Sequence, residues 1–432
     1  MWSARRARRD RNEPVRRTLL VLDMSYTLAA VRERQLDEPI LARDLDGFFS
    51  HVWSVHPCAT AVISPTESGA YGFLVVTPFA ARHTVVEAKV GRFSTLRRLP
   101  MLNFVIAQSE MLRYLTNLII REHISVIRAG DPYYLGLFGL ALSRTTGVPC
   151  VFRIPINYDF FYAQVGHLAY PRLLRWRWVE RLISRFTLPR VDLVAGSNQD
   201  TLTFAIKNGA RPEYSTIFRV GNLIHPAHFQ PPDRRPDAAP LLDQLGLSGK
   251  AFSITVCRLE RMKQIDDVVR ALAEVRSKGI DLCGLIVGDG RLREELRGLT
   301  ETLGIADAVV FAGNRPQEWI AAVLPQAAVV LSPHTGRALT EALLSGTPTV
   351  AYDVEWQSEV VRPGETGELV PYQDWQEMAR AIQRLHADPE RAQRLGRNAR
   401  AFVLEVMDPV RLNQHERNEY LRLLARAGVA TQ

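Results

Sequence analysis

The chain has 432 residues, 47% apolar and 23% charged, the balance of a soluble globular protein with more than one core. No apolar run reaches the roughly 18–20 residues of a membrane span, and Cys58, Cys150, Cys257 and Cys283 are scattered without a CxxC or zinc-type spacing, as expected of reduced thiols in a cytoplasmic protein. The net charge of +8 suits an anionic partner, a nucleotide sugar or an anionic membrane surface, and no zinc finger or RNP-type aromatic strand points to nucleic acid.

Residues 1–17 are rich in arginine and lack the apolar h-region of a secretory signal. They read as a disordered, solvated tail, with adhesion to anionic lipid as the alternative. Thr18 to Leu22 is the first strand, and a helical stretch from Leu28 to Glu38 stops at Pro39. Strands are expected over Phe49 to Val55 and over Phe73 to Val76, the latter after a turn-rich SPTESGAYG. Met111, Leu112, Leu115, Leu118 and Ile119 give a helical period to residues 107–122. Strand 124–127, a helix over 133–145 stopped by Gly147, and strand VPCVFRI follow. Residues 169–190 read as one long helix mixing arginines with Trp176 and Trp178, either a covering helix or one lying on a membrane surface. Strand VDLVAGS and a helix over 201–208 close the first half, and the proline-rich PPDRRPDAAP marks an interdomain linker.

From Ala251 strands and helices alternate again: FSITV, helix 266–275, CGLIV, helix 292–303, AVVFAG, helix 319–324 and AAVVLS. Alternation throughout predicts an α/β protein with two parallel, doubly wound sheets. The boundaries are 18–225 for the first domain, 226–249 for the linker, 250–405 for the second domain, and 406–432 for a terminal helix that packs back on the first domain.

The stretch LSPHTGRALTEALLSGTPTVAYD, 331–353, reads as strand, glycine turn, helix and strand. Gly336 lets backbone approach a ligand, the helix N-terminus that follows attracts phosphate, and Glu341, one turn in, is placed to hold ribose hydroxyls. Thr340 is its neighbour. Three more loops leave the strand ends at which doubly wound sheets bind ligands. Arg258 and Lys263 follow FSITV and can both reach one diphosphate. Gly288 and Gly290 form a turn after CGLIV. Gly313 and Asn314 offer backbone groups to a base edge.

These motifs, CRLERMKQ, VGDGRL, FAG, PHTGRALTEA and GTPTV, with QSEVVRPGETGELV after them, resemble the donor domain of the retaining glycosyltransferases of family 4. The resemblance is clear over about residues 250–405 and implies the GT-B fold, two Rossmann-like domains facing across a cleft. It implies a nucleotide-sugar donor, a glycan, lipid-linked or other surface-polymer acceptor, and no metal or other cofactor. Arg258 and Lys263 would then hold the diphosphate and stabilise the departing nucleotide, Gly336 would bind phosphate, and Glu341 the ribose. Asp131, Asn157 and Asp159 fall where the family places acceptor-side residues. Two departures stand out: Pro333 replaces the first glutamate of the family's E-x7-E pair, and VFRIPINYD lacks the usual histidine. The alternatives are a catalytically weak GT-B scaffold and a sugar-nucleotide epimerase. Asp44-Leu45-Asp46 spells a DxD, but outside the context in which that motif holds metal. The absence of GK[ST] excludes a P-loop, and Arg293 stands where GxGxxG needs its last glycine.

Overall fold

The computed structural model describes residues 16–24, 27–33, 37–59, 71–171 and 173–428. Most of the arginine-rich head, most of the SPTESGAYG turn and Arg172 lie outside them.

The first sheet holds β1 (Thr18–Leu22), β2 (His51–His56), β3 (Val75–Ala80), β4 (His83–Glu87), β5 (Val126–Ala129), β6 (Cys150–Ile154), β7 (Leu193–Gly196) and β8 (Ser215–Ile217), in the order β3-β4-β2-β1-β5-β6-β7-β8. The second holds β9 (Phe252–Val256), β10 (Cys283–Val287), β11 (Val309–Gly313), β12 (Val329–Ser332), β13 (Thr349–Asp353) and β14 (Glu368–Pro371), in the order β11-β10-β9-β12-β13-β14. Every strand pair is parallel except β3 with β4. Parallel strands are covered on both faces, which is why LLVL of β1 and CGLIV of β10 read as unbroken apolar runs and why even Ser253 and Thr255 of β9 are buried. The strand order reverses at β1 and at β9, so each sheet has one switch point where a ligand crevice opens.

The last helix, Pro409–Arg426, is capped by Asp408, whose side chain accepts from the N–H groups of Val410 and Arg411. Its Tyr420, Leu423 and Leu424 bury against Leu19, Val21, Phe49, Val126 and Val151 of the first domain. Residues 226–249 contain the helix Ala239–Gln244, with Ala238 and Leu247 buried beside Phe252 and Ile254. Arg235 fastens this segment by donating to the carbonyls of His228, Gln230, Ala321 and Leu344.

The domains meet through polar contacts and through Phe160, whose ring packs against His334 and Tyr372. The Glu359 carboxylate accepts from the Gln199 N–H at 2.8 Å and from Arg219 at 3.2 Å. The Tyr372 hydroxyl donates to Gln164 at 2.9 Å, and Arg337 donates to the Leu223 carbonyl at 3.0 Å.

Several elements differ from the sequence reading. Pro39 sits in the first turn of a short helix, Glu38–Leu41, where its missing N–H costs nothing, rather than ending a longer one. The strand expected at 73–76 starts later and forms an edge hairpin with β4. The long helix expected over 169–190 begins only at Arg177 and runs to Thr187, because the buried Glu180 carboxylate draws in the N–H groups of Ala169 and Tyr170 and turns the preceding chain. Arg177 does not extend into solvent; it pairs with Asp159 at 2.5 Å and with Glu180 at 2.6 Å. An additional helix, Tyr158–Val165, follows β6.

Candidate active site

The four predicted loops of the second domain converge at the C-terminal ends of β9, β10, β11 and β12. Two of them lie back to back. Cys257 N–H donates to Val287 O and Leu259 N–H to Asp289 O, each at 3.0 Å, while Gly288 N–H donates to Gly313 O at 2.8 Å. Gly288 has φ +127°, and a Cβ there would lie 1.9 Å from the Cys257 carbonyl, so this approach requires glycine.

β12 ends at Ser332, and the turn 333–336 leads into the helix Arg337–Ser345. Gly336 caps that helix at φ +72° and ψ −129°, a conformation closed to other residues. Leu339 N–H already donates to the Gly336 carbonyl at 3.0 Å, whereas the N–H groups of Arg337 and Ala338 precede the first intrahelical bond and face the turn with the positive end of the helix dipole. Opposite them, the Lys263 ammonium lies 3.9 Å from where a Gly336 Cβ would sit. Lys263 ends the short turn Arg261–Lys263, and Gln264 at φ +52° starts the next helix. Burial pulls the Lys263 ammonium below its usual range, and the Arg258 guanidinium adds to this, partly offset by Cys257 and Glu355. Arg258 is exposed and has no carboxylate partner among the described residues. One cation thus faces a helix N-terminus, with the exposed Arg258 in its neighbourhood, an arrangement suited to a diphosphate.

Glu341 lies one turn further along the same helix and is 7% exposed. Burial pushes its carboxyl up to about 7, with Arg337 holding it back. His228 Nε2 stands 3.9 Å away, but burial pushes that imidazole down to about 4 and its Nε2 bonds Gln317 at 2.8 Å. Burial drives both groups toward neutrality, so the pair is not an ion pair. Thr340 is fully buried, and its hydroxyl has no protein partner. Asn314 is exposed at the end of β11, beside Gly313 at φ +69°.

Pro333 brings no carboxylate, but the next residue carries a polar pair that sequence reasoning did not find. His334 Nε2 meets the Glu355 carboxylate at 2.7 Å and Nδ1 meets the Met262 carbonyl at 2.9 Å, while its ring packs edge-on against Phe160 of the first domain. Only folding brings Glu355, 21 residues on, beside it.

The three residues expected on the acceptor side are engaged within the first domain. Asp131 is buried, accepting from the Tyr133 N–H at 2.7 Å and from the Tyr170 hydroxyl; burial raises its carboxyl to about 6 against those bonds. Asn157 caps the helix Tyr158–Val165 and donates to Asp200 at 3.0 Å. Asp159 pairs with Arg177. The DxD carboxylates also have separate partners, Asp44 with Arg82 at 3.4 Å and Asp46 with Arg417 at 3.0 Å. Cys58, Cys150 and Cys283 are buried thiols, and Cys257 is half-buried behind Lys263.

Residues 241–402 match the family described as Glycosyl transferases group 1, in line with the motif resemblance. Alpha-D-kanosaminyltransferase of Streptomyces kanamyceticus is 30% identical over 264 residues, covering 60% of this chain and 66% of that protein. A GDP-mannose-dependent alpha-(1-6)-phosphatidylinositol monomannoside mannosyltransferase of Mycolicibacterium smegmatis is 29% identical over 248 residues, covering 53% and 63%. The chain therefore spans a little under two thirds of the length of these two relatives. HepE of Anabaena, solved with UDP and glucose, superposes with a TM-score of 0.65 over 93% of this chain and 98% of that one, at 20% identity. The fold is GT-B.

Proposed function

We propose that the protein is a glycosyltransferase that moves a sugar from a nucleoside diphosphate donor to a glycan, a lipid-linked sugar or another surface polymer, with retention at the anomeric carbon. The observation that carries this reading is the Lys263 ammonium, 3.9 Å from where a Gly336 Cβ would sit at the N-terminus of the helix Arg337–Ser345, with the Arg258 guanidinium near enough to lower it further. As the bond from the anomeric carbon to the diphosphate breaks, negative charge grows on the leaving oxygen, and these two cations and the backbone N–H groups at Gly336 are placed to receive it. The acceptor hydroxyl attacks from the same face, and its proton passes to the departing phosphate, so the site needs no strong side-chain base. The main work is holding two substrates in register and neutralising the diphosphate without a required metal. Glu341 fixes the ribose.

The reading also places the protein at the inner face of a membrane. The helix Arg177–Thr187 exposes Trp178 at 63% and Leu182 at 62%, with Trp176 stacked on Trp178 and exposed Arg181 and Arg185 beside them. Apolar anchors next to arginines suit an anionic lipid surface. Among the described residues no helix is long and apolar enough to cross the membrane.

The direct test is a melting screen with UDP, GDP, ADP and their sugars, repeated with EDTA. A stabilising shift with one nucleotide that survives EDTA is expected, since a ligand bound only to the native state raises its stability. No shift with any of them would refute the donor pocket. Turnover of the nucleotide sugar without acceptor would favour an epimerase instead.

A further inference from the structure

The first domain contains a second built pocket, separate from the donor loops. Alternate residues of a strand share a face. On the face covered by the last helix, Leu19, Val21, Val52, Val126 and Val151 form an apolar layer with Tyr420. One step nearer the cleft, the same face carries Asp23, Ser54, His56, Arg128 and Arg153. Arg43 reaches in from the turn after the helix Glu38–Leu41, and Arg337 closes the side toward the donor helix. Together they line a cavity of about 290 Å³.

Its polarity is one-sided. Four arginines line the cavity, and Asp23 is the one carboxylate among its lining residues. Asp23 pairs with Arg43, which also donates to the Ser54 hydroxyl at 2.8 Å. Behind the cavity, one oxygen of Glu416 faces both Arg128 and Arg153 at 3.5 Å, too long for strong charge-assisted bonds. The side chains of Arg128 and Arg153 are 6% and 17% exposed. Nη2 of Arg153 is buried without a partner among the described residues. The guanidiniums are close enough to oppose one another: burial lowers Arg43 most, and Arg128 and Arg153 lower it further, against the pull of Asp23.

Arg128 is also served by the Tyr420 hydroxyl and by Asp23, but Asp23 and Glu416 are two carboxylates among the three guanidiniums of Arg43, Arg128 and Arg153, so one positive charge is left in excess, and buried charge without a counterion is costly. A tetrahedral anion with several oxygens would satisfy arginines converging from β5, β6, the Arg43 turn and the donor helix together.

We infer that this pocket binds a phosphoryl group on the acceptor, so that the compound glycosylated is a phosphate ester. The assignment to the acceptor rests on the transferase reading above; the phosphate site itself does not. The cavity borders Arg337, the residue after Gly336, so a phosphate held here leaves the rest of the acceptor beside the donor site.

The test titrates inorganic phosphate into the full-length protein with UDP at saturation, so that the donor site is already filled, and with chloride matched for ionic strength. Phosphate should raise the melting temperature further. Arg153→Gln and Arg43→Gln should each weaken phosphate binding by at least about tenfold while leaving the UDP-induced shift unchanged. Glucose 6-phosphate and phosphatidic acid in phosphatidylcholine vesicles are then compared as competitors. Displacement by the first identifies a soluble phosphosugar acceptor, and by the second a lipid headgroup. No phosphate response on top of UDP, an unchanged response in both variants, or displacement by neither competitor would overturn the inference. Absence of UDP binding would instead count against the donor reading, so the two failures are distinguishable.

Discussion

Glu341 supplies the sharpest quantitative prediction. Its carboxyl is moved from 4.5 to about 7, chiefly by burial, inside a protein that gives it no hydrogen-bond partner in the described contacts. The folded state therefore holds this proton more tightly than the unfolded chain does. That preference favours folding below about pH 4.5 and is lost as the pH rises through about 7. By pH 8 the ionised carboxylate carries a penalty of roughly 3 kcal/mol relative to an unfolded glutamate. Glu341→Gln keeps the shape and removes the charge, so the variant should be more stable than the native protein at pH 8 by about 2–3 kcal/mol. In calorimetry this is a rise of roughly 4–10 °C in the transition of the second domain, with the difference closing by pH 4.5. The same variant should bind the nucleotide less tightly, because ribose hydroxyls that donate to a carboxylate find a weaker acceptor in an amide. Native binding near pH 7 should also release protons, measurable by titration in buffers of different ionisation enthalpy. A glutamine variant that is equally or less stable at pH 8 would refute the burial argument, and unchanged nucleotide affinity would refute the ribose contact.

Three other outcomes are expected. Arg258→Ala and Lys263→Ala should each cut turnover by roughly 10²–10³ with an unchanged melting curve, since both act on charge that develops in the reaction; near-native turnover in either would remove it from the diphosphate site. Gly336→Ala forces a side chain into φ +72°, ψ −129°, which costs of order 1–3 kcal/mol and brings a methyl within 3.9 Å of the Lys263 ammonium. Its UDP affinity should fall about tenfold or more, a loss of at least ~1.4 kcal/mol, and native affinity would show that the backbone at this turn does not touch the ligand. Trp178→Ser combined with Leu182→Ser should abolish binding to anionic vesicles in a sedimentation assay without altering the UDP-induced melting shift, and retained vesicle binding would exclude this helix as the anchor.

The second domain is readable from sequence because its strands are buried on both faces, and its helix Arg337–Ser345 starts at Gly336 and stops at Gly346. β9 and β10 match FSITV and CGLIV residue for residue. β3 was harder. It is an exposed edge strand containing Pro78, with little apolar patterning, and β4 was hidden because His83 opens it and is buried there without an aliphatic signature. The helix over 169–190 was overread because its arginine and tryptophan spacing is helical, whereas Glu180, a tertiary contact, decides where the helix begins. Two further charges stand out inside strands: Arg128 in SVIRAG and Arg153 in VPCVFRI interrupt apolar runs at positions that a parallel sheet must bury. A charge in a buried strand demands a partner, and that demand was visible before any coordinate.

The same criterion separates site from scaffold across the molecule. Asp131, Asn157 and Asp159 have partners supplied by their own domain, so binding a ligand would require breaking those contacts first. Lys263, Glu341 and Thr340 are in the opposite condition among the described residues: burial disfavours the ammonium, which Cys257 and Glu355 relieve only in part, and the carboxyl has no hydrogen-bond donor and the hydroxyl no partner. A diphosphate and a ribose reverse each of these deficits at once, so the free energy withheld from folding at these positions is available to binding. The arginine pocket repeats the pattern, with Nη2 of Arg153 unpartnered among the described residues where the donor loops end and the first domain begins. Two regions of incomplete polar satisfaction, one suited to a diphosphate and one to a phosphoryl group, therefore adjoin at Arg337. A transferase needs its donor and acceptor subsites in just this relation, since the reacting atoms must meet where the two substrates do.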